Sequence, residues 1–211
     1  MISIASSANY AYLHNYEFDK IHQYLDWINL MSYDFHGPFK SALDVVTGHN
    51  SALYQDPSEP EPEMVVADFN VAAAVEEFLA LGVPASKINA GLAFYGRGYG
   101  GVPSTNNGLY QAYSGPAGKG TWEHGVFDYS DLKDNYVNKN GYTAYTDSLA
   151  GVPWLYSAAE QTMISYDDEH SIALKSAFIQ QKSIGGAMFW EFSGDRHGDL
   201  LNSVYTTLGS R

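Results

Sequence analysis

The feature that most limits the fold is an apolar strand near the N-terminus that ends in polar and aromatic side chains. In the segment WINLMSYDF, which begins at Trp27, Leu30 lies on one face, and Met31 and Tyr33 lie on the other. A strand that is largely apolar on both faces is typical of a parallel sheet covered on both sides. The segment therefore predicts an α/β fold, with Tyr33 and Asp34 at the end of a strand.

The neighbouring segments repeat this alternation of strand and helix. Residues 2–8 and 88–96 have the composition of strands, whereas residues 15–27 and 69–82 carry apolar side chains at helical spacing. Asp68 is the expected N-cap of the second helix. The first half of the chain therefore predicts successive βα units.

The later segments depart from the alternation and then return to it. Residues 37–66 form a loop that we expect to be too polar to bury and that is long enough to be functional. Residues 99–165 contain Gly-rich turns and short alternating runs, which indicate a small α+β insertion. Residues 166–184 predict a helix, residues 185–192 a fourth strand, and residues 198–209 a closing helix.

Polar or aromatic side chains follow each strand, as in a (β/α)8 barrel with its active site at the C-terminal ends of the strands. Only four units are present, so we expect half of such a barrel. The predicted segments are barrel βα units in 1–98, the α+β insertion in 99–165, and the final helix, strand and helix in 166–211. An open doubly wound sheet is the alternative, but no Gly-rich phosphate loop follows the first strand.

Composition excludes several classes of function. Lys plus Arg is 11 and Asp plus Glu is 24, which gives a net charge of −13 and makes nucleic acid and membrane surfaces poor partners. Cys is 0, so disulfides and thiolate metal sites are excluded, and we expect no metal or other cofactor. No basic segment followed by an apolar one marks a signal peptide. The 17 Tyr, 10 Phe and 4 Trp residues suit binding to the apolar faces of sugar rings.

Four motifs, NLMSYDFHGPF, GLAFYGRGY, GTWEHGVFDY and GGAMFWEFSGD, together resemble the last part of the family 18 glycoside hydrolases, the chitinase family, and most closely the bacterial chitinase A type. The resemblance covers nearly the whole chain. It implies that the four strands are the fifth to eighth of a (β/α)8 TIM barrel. It also implies that residues 99–165 are the chitin-insertion domain of the family.

One departure from the family pattern is decisive for catalysis. The family signature Asp-x-x-Asp-x-Asp-x-Glu does not occur in these 211 residues. Its glutamate would protonate the oxygen of the leaving group, which bond cleavage requires. We therefore expect this chain by itself to be inactive.

The resemblance assigns catalytic roles to two residues at the end of the second strand. Tyr33 is expected to donate a hydrogen bond to the substrate acetamido group, which is the nucleophile in this family, and Asp34 to contact the sugar towards subsite +1. Met31 is expected to pack below the sugar in subsite −1, unless it only fills the core. Trp190 would form the hydrophobic floor under that sugar, unless it packs in the core, and Glu191 would point away from the cleft.

Four further residues are expected to bind substrate. Tyr95 and Arg97 resemble a groove-lining pair of the family, in which Arg97 bonds sugar hydroxyls; the alternative for Arg97 is a surface salt bridge. Trp122 and Glu123 resemble the pair that forms the wall of the positive subsites.

Three functions remain open at this point. The chain is part of a chitinase that hydrolyses β-1,4 linkages between N-acetylglucosamine units with retention, or a non-catalytic chitin- or glycan-binding member of the family, or a truncated product without independent activity. The expected partners are chitin or N-acetylglucosamine oligosaccharides and the N-terminal half of the barrel. Without that half we expect the chain either to self-associate or to be partly disordered at residues 2–6 and 185–192. We expect the parent enzyme to be extracellular.

Overall fold

The computed structural model describes residues 1–9, 13–39, 45–60 and 68–209. The strands are Ser3–Ser7 (β1), Trp27–Met31 (β2), Ile88–Ala93 (β3), Tyr95–Gly100 (β4), Gly115–Pro116 (β5), Val126–Asp128 (β6), Thr143–Asp147 (β7), Val152–Ser157 (β8), Thr162–Ser165 (β9) and Gly186–Trp190 (β10). The α-helices are Phe18–Ile21 (α1), Val71–Ala80 (α2), Tyr129–Asp131 (α3), Glu169–Lys182 (α4) and Asp199–Leu208 (α5). None of the helices in these ranges is long and apolar enough to cross a membrane.

The first sheet is parallel and has the strand order β1-β2-β3-β10. This order follows the sequence, without the reversal that defines a doubly wound sheet. The predicted α/β fold is confirmed, and the carboxyl ends of all four strands lie at one edge.

The two faces of this sheet are buried to different extents. Ile28 and Leu30 on β2 are fully buried and belong to one core cluster with Phe78 of α2 and Ile179 of α4. Met31, on the opposite face, is only half-buried, as are the other β2 residues of that face. The prediction that both faces are covered is therefore wrong for β2, whereas Gly91 and Ala93 on the same face of β3 are buried.

The second sheet is antiparallel. Its path is β5-β4-β9-β8-β7, and β6 also pairs with β4. Phe127, Leu155 and Ile164 pack in its core, while Tyr99 and Trp154 belong to a second, smaller cluster. The expected boundary between residues 98 and 99 falls inside β4.

Two expected elements end earlier than the periodicity of the sequence indicates. The helix predicted for 15–27 stops as α1 and a 3₁₀ turn, because Lys87 Nζ bonds the carbonyl oxygens of His22 and Leu25, each at 2.7 Å. The strand predicted for 88–96 ends at Ala93. Its continuation, β4, pairs in the other sheet.

The N-cap of α2 also differs from the expectation. Asn70, rather than Asp68, accepts a hydrogen bond from the Ala73 backbone N–H at 2.8 Å, so α2 begins at Val71. An N-cap side chain must reach the amide two or three residues ahead, and only Asn70 stands at that distance. The α4 helix begins with a capping box between Asp168 and Ser171.

Part of the polar loop predicted for 37–66 connects the two sheets. Residues 40–44 and 61–67 lie outside the described ranges. Within 45–60, His49 Nε2 lies 3.1 Å from Asp147 Oδ2 of β7, and Thr47 donates a hydrogen bond to the Gly108 carbonyl oxygen at 2.6 Å. Residues 47–53 are buried, contrary to the expectation from the polarity of the loop. Thr47 and His49 are buried together with their hydrogen-bond partners.

Candidate active site

A cleft of about 510 Å³ opens where β2, β3 and β10 end. It lies between the C-terminal edge of the parallel sheet and the turn before β6. All eight residues selected from the sequence line it: Met31, Tyr33, Asp34, Tyr95, Arg97, Trp122, Glu123 and Trp190.

Asp34 is the centre of a hydrogen-bonded cluster in this cleft. Its Oδ1 accepts from the Tyr95 hydroxyl at 2.6 Å and from Arg97 Nε at 2.8 Å, while Oδ2 accepts from Arg97 Nη2 at 2.7 Å. Arg97 therefore forms a salt bridge, as the alternative predicted, and this salt bridge lies within the cleft. A carboxylate offers about four acceptor positions, so one remains for a ligand, and Arg97 keeps N–H groups that this pair does not use.

Burial and the neighbouring Asp34 charge set the protonation of the two tyrosines. Burial, and next the charge of Asp34, raise the pKa of Tyr33 to about 12. The same two causes, in the same order, raise the pKa of Tyr95. Both phenols are therefore hydrogen-bond donors at neutral pH.

The hydroxyl of Tyr33 remains available to a ligand. It lies 3.9 Å from the sulfur of Met188, which is a weak acceptor. The edge of its ring meets the ring of Tyr95 at a centroid distance of 6.0 Å and an interplanar angle of 77°. The ring is thus oriented, while its donor has no strong partner among these contacts.

Two tryptophans form apolar walls that are open to solvent. Trp122 is 81% exposed and Trp190 is 58% exposed, so the core-packing alternative for Trp190 is wrong. Trp122 Nε1 donates to Asp128 Oδ2 at 3.0 Å, and Arg196 Nη1 donates to the same oxygen at 2.6 Å. The Trp122 ring is therefore held in place although most of it faces solvent.

Three further residues, Met31, Glu123 and Glu191, line the cleft. Met31 is half-buried and lines the cleft, so it does not merely fill the core. Glu123 is exposed and pairs through its backbone with Val126. Glu191 also contributes to the lining, contrary to expectation, because β10 ends at Trp190 and the alternation of strand faces stops there.

Sequence reasoning missed Asp128 and Asn50. Asp128 is buried and lines the cleft, and an acidic residue after the apolar pair Val126 and Phe127 could have indicated it. Asn50 accepts the backbone N–H of Asp34 at 3.0 Å, and no pattern in its segment indicates this. Within the described ranges, no three His, Asp or Glu side chains come together as they would to hold a metal ion.

The family model described as Glycosyl hydrolases family 18 matches residues 1–195. The chain therefore belongs to the family 18 glycosyl hydrolases. It is 46% identical to Chitinase A1 of Niallia circulans over 99% of this chain and 29% of that protein. It is 37% identical to Endochitinase 1 of Metarhizium robertsii over 97% of this chain and 44% of that protein.

Solved structures of chitinases have the same fold. Chitinase ChiA74 from Bacillus thuringiensis superposes with a TM-score of 0.89 at 41% identity, over 98% of this chain and 35% of that one. A mutant class V chitinase from Nicotiana tobaccum in complex with NAG4 superposes with a TM-score of 0.85 at 26% identity, over 99% of this chain and 56% of that one. The chain thus spans from 29% to 56% of the length of these relatives.

Proposed function

We propose that this chain supplies the substrate-binding half of a chitinase catalytic domain. In this proposal the parallel sheet is strands five to eight of a (β/α)8 barrel, and residues 99–165 are its chitin-insertion domain. The substrate is chitin or its N-acetylglucosamine oligomers, and the reaction is hydrolysis of β-1,4 linkages with retention, outside the cell. The observation that carries the proposal is the convergence of all eight selected residues on one cleft.

The arrangement suits a substrate whose own acetamido oxygen attacks the anomeric carbon. Tyr33 presents a protonated hydroxyl that can bond the acetamido group and hold it for attack. Asp34 has one acceptor position left after Tyr95 and Arg97 are bonded, and this position suits an amide N–H or a hydroxyl.

The sugar rings would pack on the two exposed tryptophans. An indole face suits the C–H face of a pyranose, and burying such a face stabilises binding in proportion to the apolar area removed from water. Trp190 would form the floor of subsite −1, with Met31 beside it, and Trp122 with Glu123 would form the wall of the positive subsites.

Protonation of the leaving oxygen requires a carboxylic acid that we place outside these 211 residues. The family signature with its glutamate is absent from the sequence. Of the carboxylates in the cleft, Asp34 already accepts hydrogen bonds from Tyr95 and Arg97. The complementary half of the barrel would supply the acid.

A second function, glycan binding without cleavage, is favoured by the same absence of the signature. It requires the tryptophan walls but not the hydroxyl of Tyr33. The two functions therefore differ in whether they need the Tyr33 hydroxyl.

An assay on chromogenic chitobiose and chitotriose substrates separates the two functions. We expect no cleavage by this chain alone and cleavage after it is mixed with the complementary barrel half. Cleavage by the chain alone would contradict the placement of the acid and would implicate Glu123 or Asp34. Oligosaccharide binding without cleavage in the mixture would support the binding function instead.

A further inference from the structure

Two consecutive loop residues hold the peptide groups on both sides of Tyr33. Asn50 Oδ1 accepts the backbone N–H of Asp34 at 3.0 Å, and the Ser51 hydroxyl donates to the carbonyl oxygen of Ser32 at 2.7 Å. These two groups belong to the peptide units after and before Tyr33. The backbone of Tyr33 is thus fixed on both sides, and only its side-chain torsions remain free.

The two loop residues are themselves anchored to buried side chains. The backbone N–H of Asn50 donates to Ser165 Oγ at 2.8 Å, at the end of β9. Ser51 Oγ accepts from Lys175 Nζ at 2.9 Å, and the same ammonium bonds both carboxylate oxygens of Asp167 at 2.7 Å. These three bonds use all three N–H groups of the lysine. Lys175 and Asp167 are almost fully buried.

A buried ion pair of this kind is weak evidence for stability. Removing two charges from water has a large free-energy cost, and apolar side chains of similar volume often stabilise a protein more. A better-attested use of such pairs is to specify one arrangement of their neighbours. Lys175 of this pair also donates a hydrogen bond to Ser51, and Ser51 in turn bonds the backbone beside Tyr33.

The end of β2 depends on these contacts because its ladder stops early. The pairing of β2 with β3 ends at Leu30 and Ala90. Beyond it, Ser32 Oγ bonds both the N–H and the carbonyl oxygen of Gly91, each at 2.9 Å, in place of the strand pairing. A Cβ at position 91 would lie 2.3 Å from the Leu30 carbonyl oxygen, so glycine is required there.

Asp34 adds a second reason for an external anchor. Its φ of 58° lies in the left-handed region, which is unfavourable for residues other than glycine. The bond from its N–H to Asn50 stabilises this conformation, and the conformation directs the carboxylate to Tyr95 and Arg97. Asn50 therefore acts on both Tyr33 and Asp34.

We propose that Asn50 and Ser51 are positioning residues for the reaction proposed above, anchored by Lys175 from α4. Neither loop residue is part of the cleft lining, so each acts through Tyr33 and Asp34. The inference rests on the proposed function for its effect on rate, but its structural part can be tested without any activity. Small displacements of positioned groups lower reaction rates strongly.

The structural test uses amide hydrogen exchange of Asp34, measured by NMR on the full chain. Asn50→Ala removes the acceptor, and we expect Asp34 exchange to become about fivefold faster or more. Asn50→Asp keeps an acceptor oxygen and should restore slow exchange. The matched control is Ser176→Ala, next to Lys175: Ser176 is fully buried and, within the described residues, its hydroxyl has no hydrogen-bond partner.

The kinetic test uses the chain combined with its complementary barrel half and a chitotriose substrate. We expect Asn50→Ala and Ser51→Ala to lower kcat about tenfold or more, with KM changed less than about twofold. Ser176→Ala should leave both constants unchanged. A purely structural role of Asn50 and Ser51 would lower Tm in Asn50→Ala and Ser51→Ala without this division between kcat and KM.

Two results would overturn the inference. One is Asp34 exchange in Asn50→Ala that equals exchange in the unmodified chain. The other is a loss of kcat in Ser176→Ala as large as that in Ser51→Ala. If no variant and no unmodified protein cleaves the substrate, the proposed function fails, and the exchange data alone decide whether Asn50 positions Asp34. If Asn50→Ala does not fold, Asn50→Asp and Ser51→Ala decide: fast Asp34 exchange in the first, or unchanged kcat in the second, contradicts the inference.

Discussion

At the scale of single residues, the chemistry of the cleft depends on which hydrogen-bond partners Tyr33 and Asp34 have. Asp34 accepts hydrogen bonds from the Tyr95 hydroxyl and the Arg97 guanidinium, whereas the Tyr33 hydroxyl bonds only the Met188 sulfur among the described residues. A carboxylate attracts donors more strongly than a thioether does. The result is a carboxylate with one acceptor position left and a phenol that is ready to donate to a ligand.

Tyr33→Phe should lower turnover much more than binding. The phenol would act on the attacking acetamido group, so its removal should cost roughly 2 to 3 kcal/mol of transition-state stabilisation. Steady-state kinetics of the chain combined with its complementary half would measure this, with the exposed Tyr24→Phe as the control. An unchanged kcat with a raised KM would contradict the assigned role.

Trp122→Ala and Trp190→Ala should each weaken binding of N-acetylglucosamine oligomers, because each removes an exposed apolar face from the cleft. Asp128→Ala should weaken binding less, since the Trp122 ring remains but loses its anchor. Isothermal calorimetry would measure these affinities, with the exposed Tyr205→Ala as the control. Equal affinities for all four variants and the unmodified chain would refute the stacking assignment.

At the scale of elements, the ends of helices and strands decide which residues meet in the cleft. The α2 helix begins after Asn70, whose side chain caps the Ala73 amide. Asn70→Ala should therefore lower the free energy of unfolding by about 1 kcal/mol, measured by urea denaturation. Asp68→Ala should have a smaller effect, and the reverse order would contradict the assigned cap.

The contact between His49 of the loop and Asp147 of β7 should make the stability of the fold depend on pH in the acidic range. Burial raises the pKa of Asp147, but His49 and the backbone amides of Ala150 and Leu149 lower it more, to about 2. A depressed pKa stabilises the folded state fully above the unfolded pKa near 4, and this contribution is lost as pH falls towards 2.

We therefore expect Asp147→Asn to lower Tm at pH 6, and we expect its difference from the unmodified chain to shrink progressively between pH 4 and pH 2. Thermal melts across this range would show it. A difference in Tm that is constant with pH would indicate that the charge of Asp147 contributes nothing.

At the scale of the whole molecule, the parallel sheet has two edges, β1 and β10, that pair with no further strand in the described residues. One face of β2 is also only half-buried. Unpaired strand edges are templates for association. We therefore expect the chain alone to self-associate as its concentration rises, and the complementary half to convert it to a defined 1:1 complex, as measured by light scattering. A monomer at all concentrations would contradict this expectation.

The sequence predicted the eight cleft residues only through its resemblance to family 18. Parallel strands place their carboxyl ends at one edge, which explains why the residues at the ends of β2, β3 and β10 meet. The sequence carried no such indication for every contact. It did not predict the partners of Asp34. Asn50 lies 16 residues away and Arg97 lies 63 residues away, and periodicity carries no information about which distant loop or strand reaches a given side chain.

The sequence by itself determined the α/β class, the order of the βα units, the acidic charge and the set of chemically competent side chains, because these follow from local spacing and composition. Only the tertiary structure decided that one face of β2 is half-buried and that the chain leaves the parallel sheet after Ala93. It also decided that Asn50 and Ser51 hold the backbone around Tyr33. The physical reason is that hydrogen bonds and packing between distant segments depend on where the whole chain brings them. Local propensities set only the conformation of each segment.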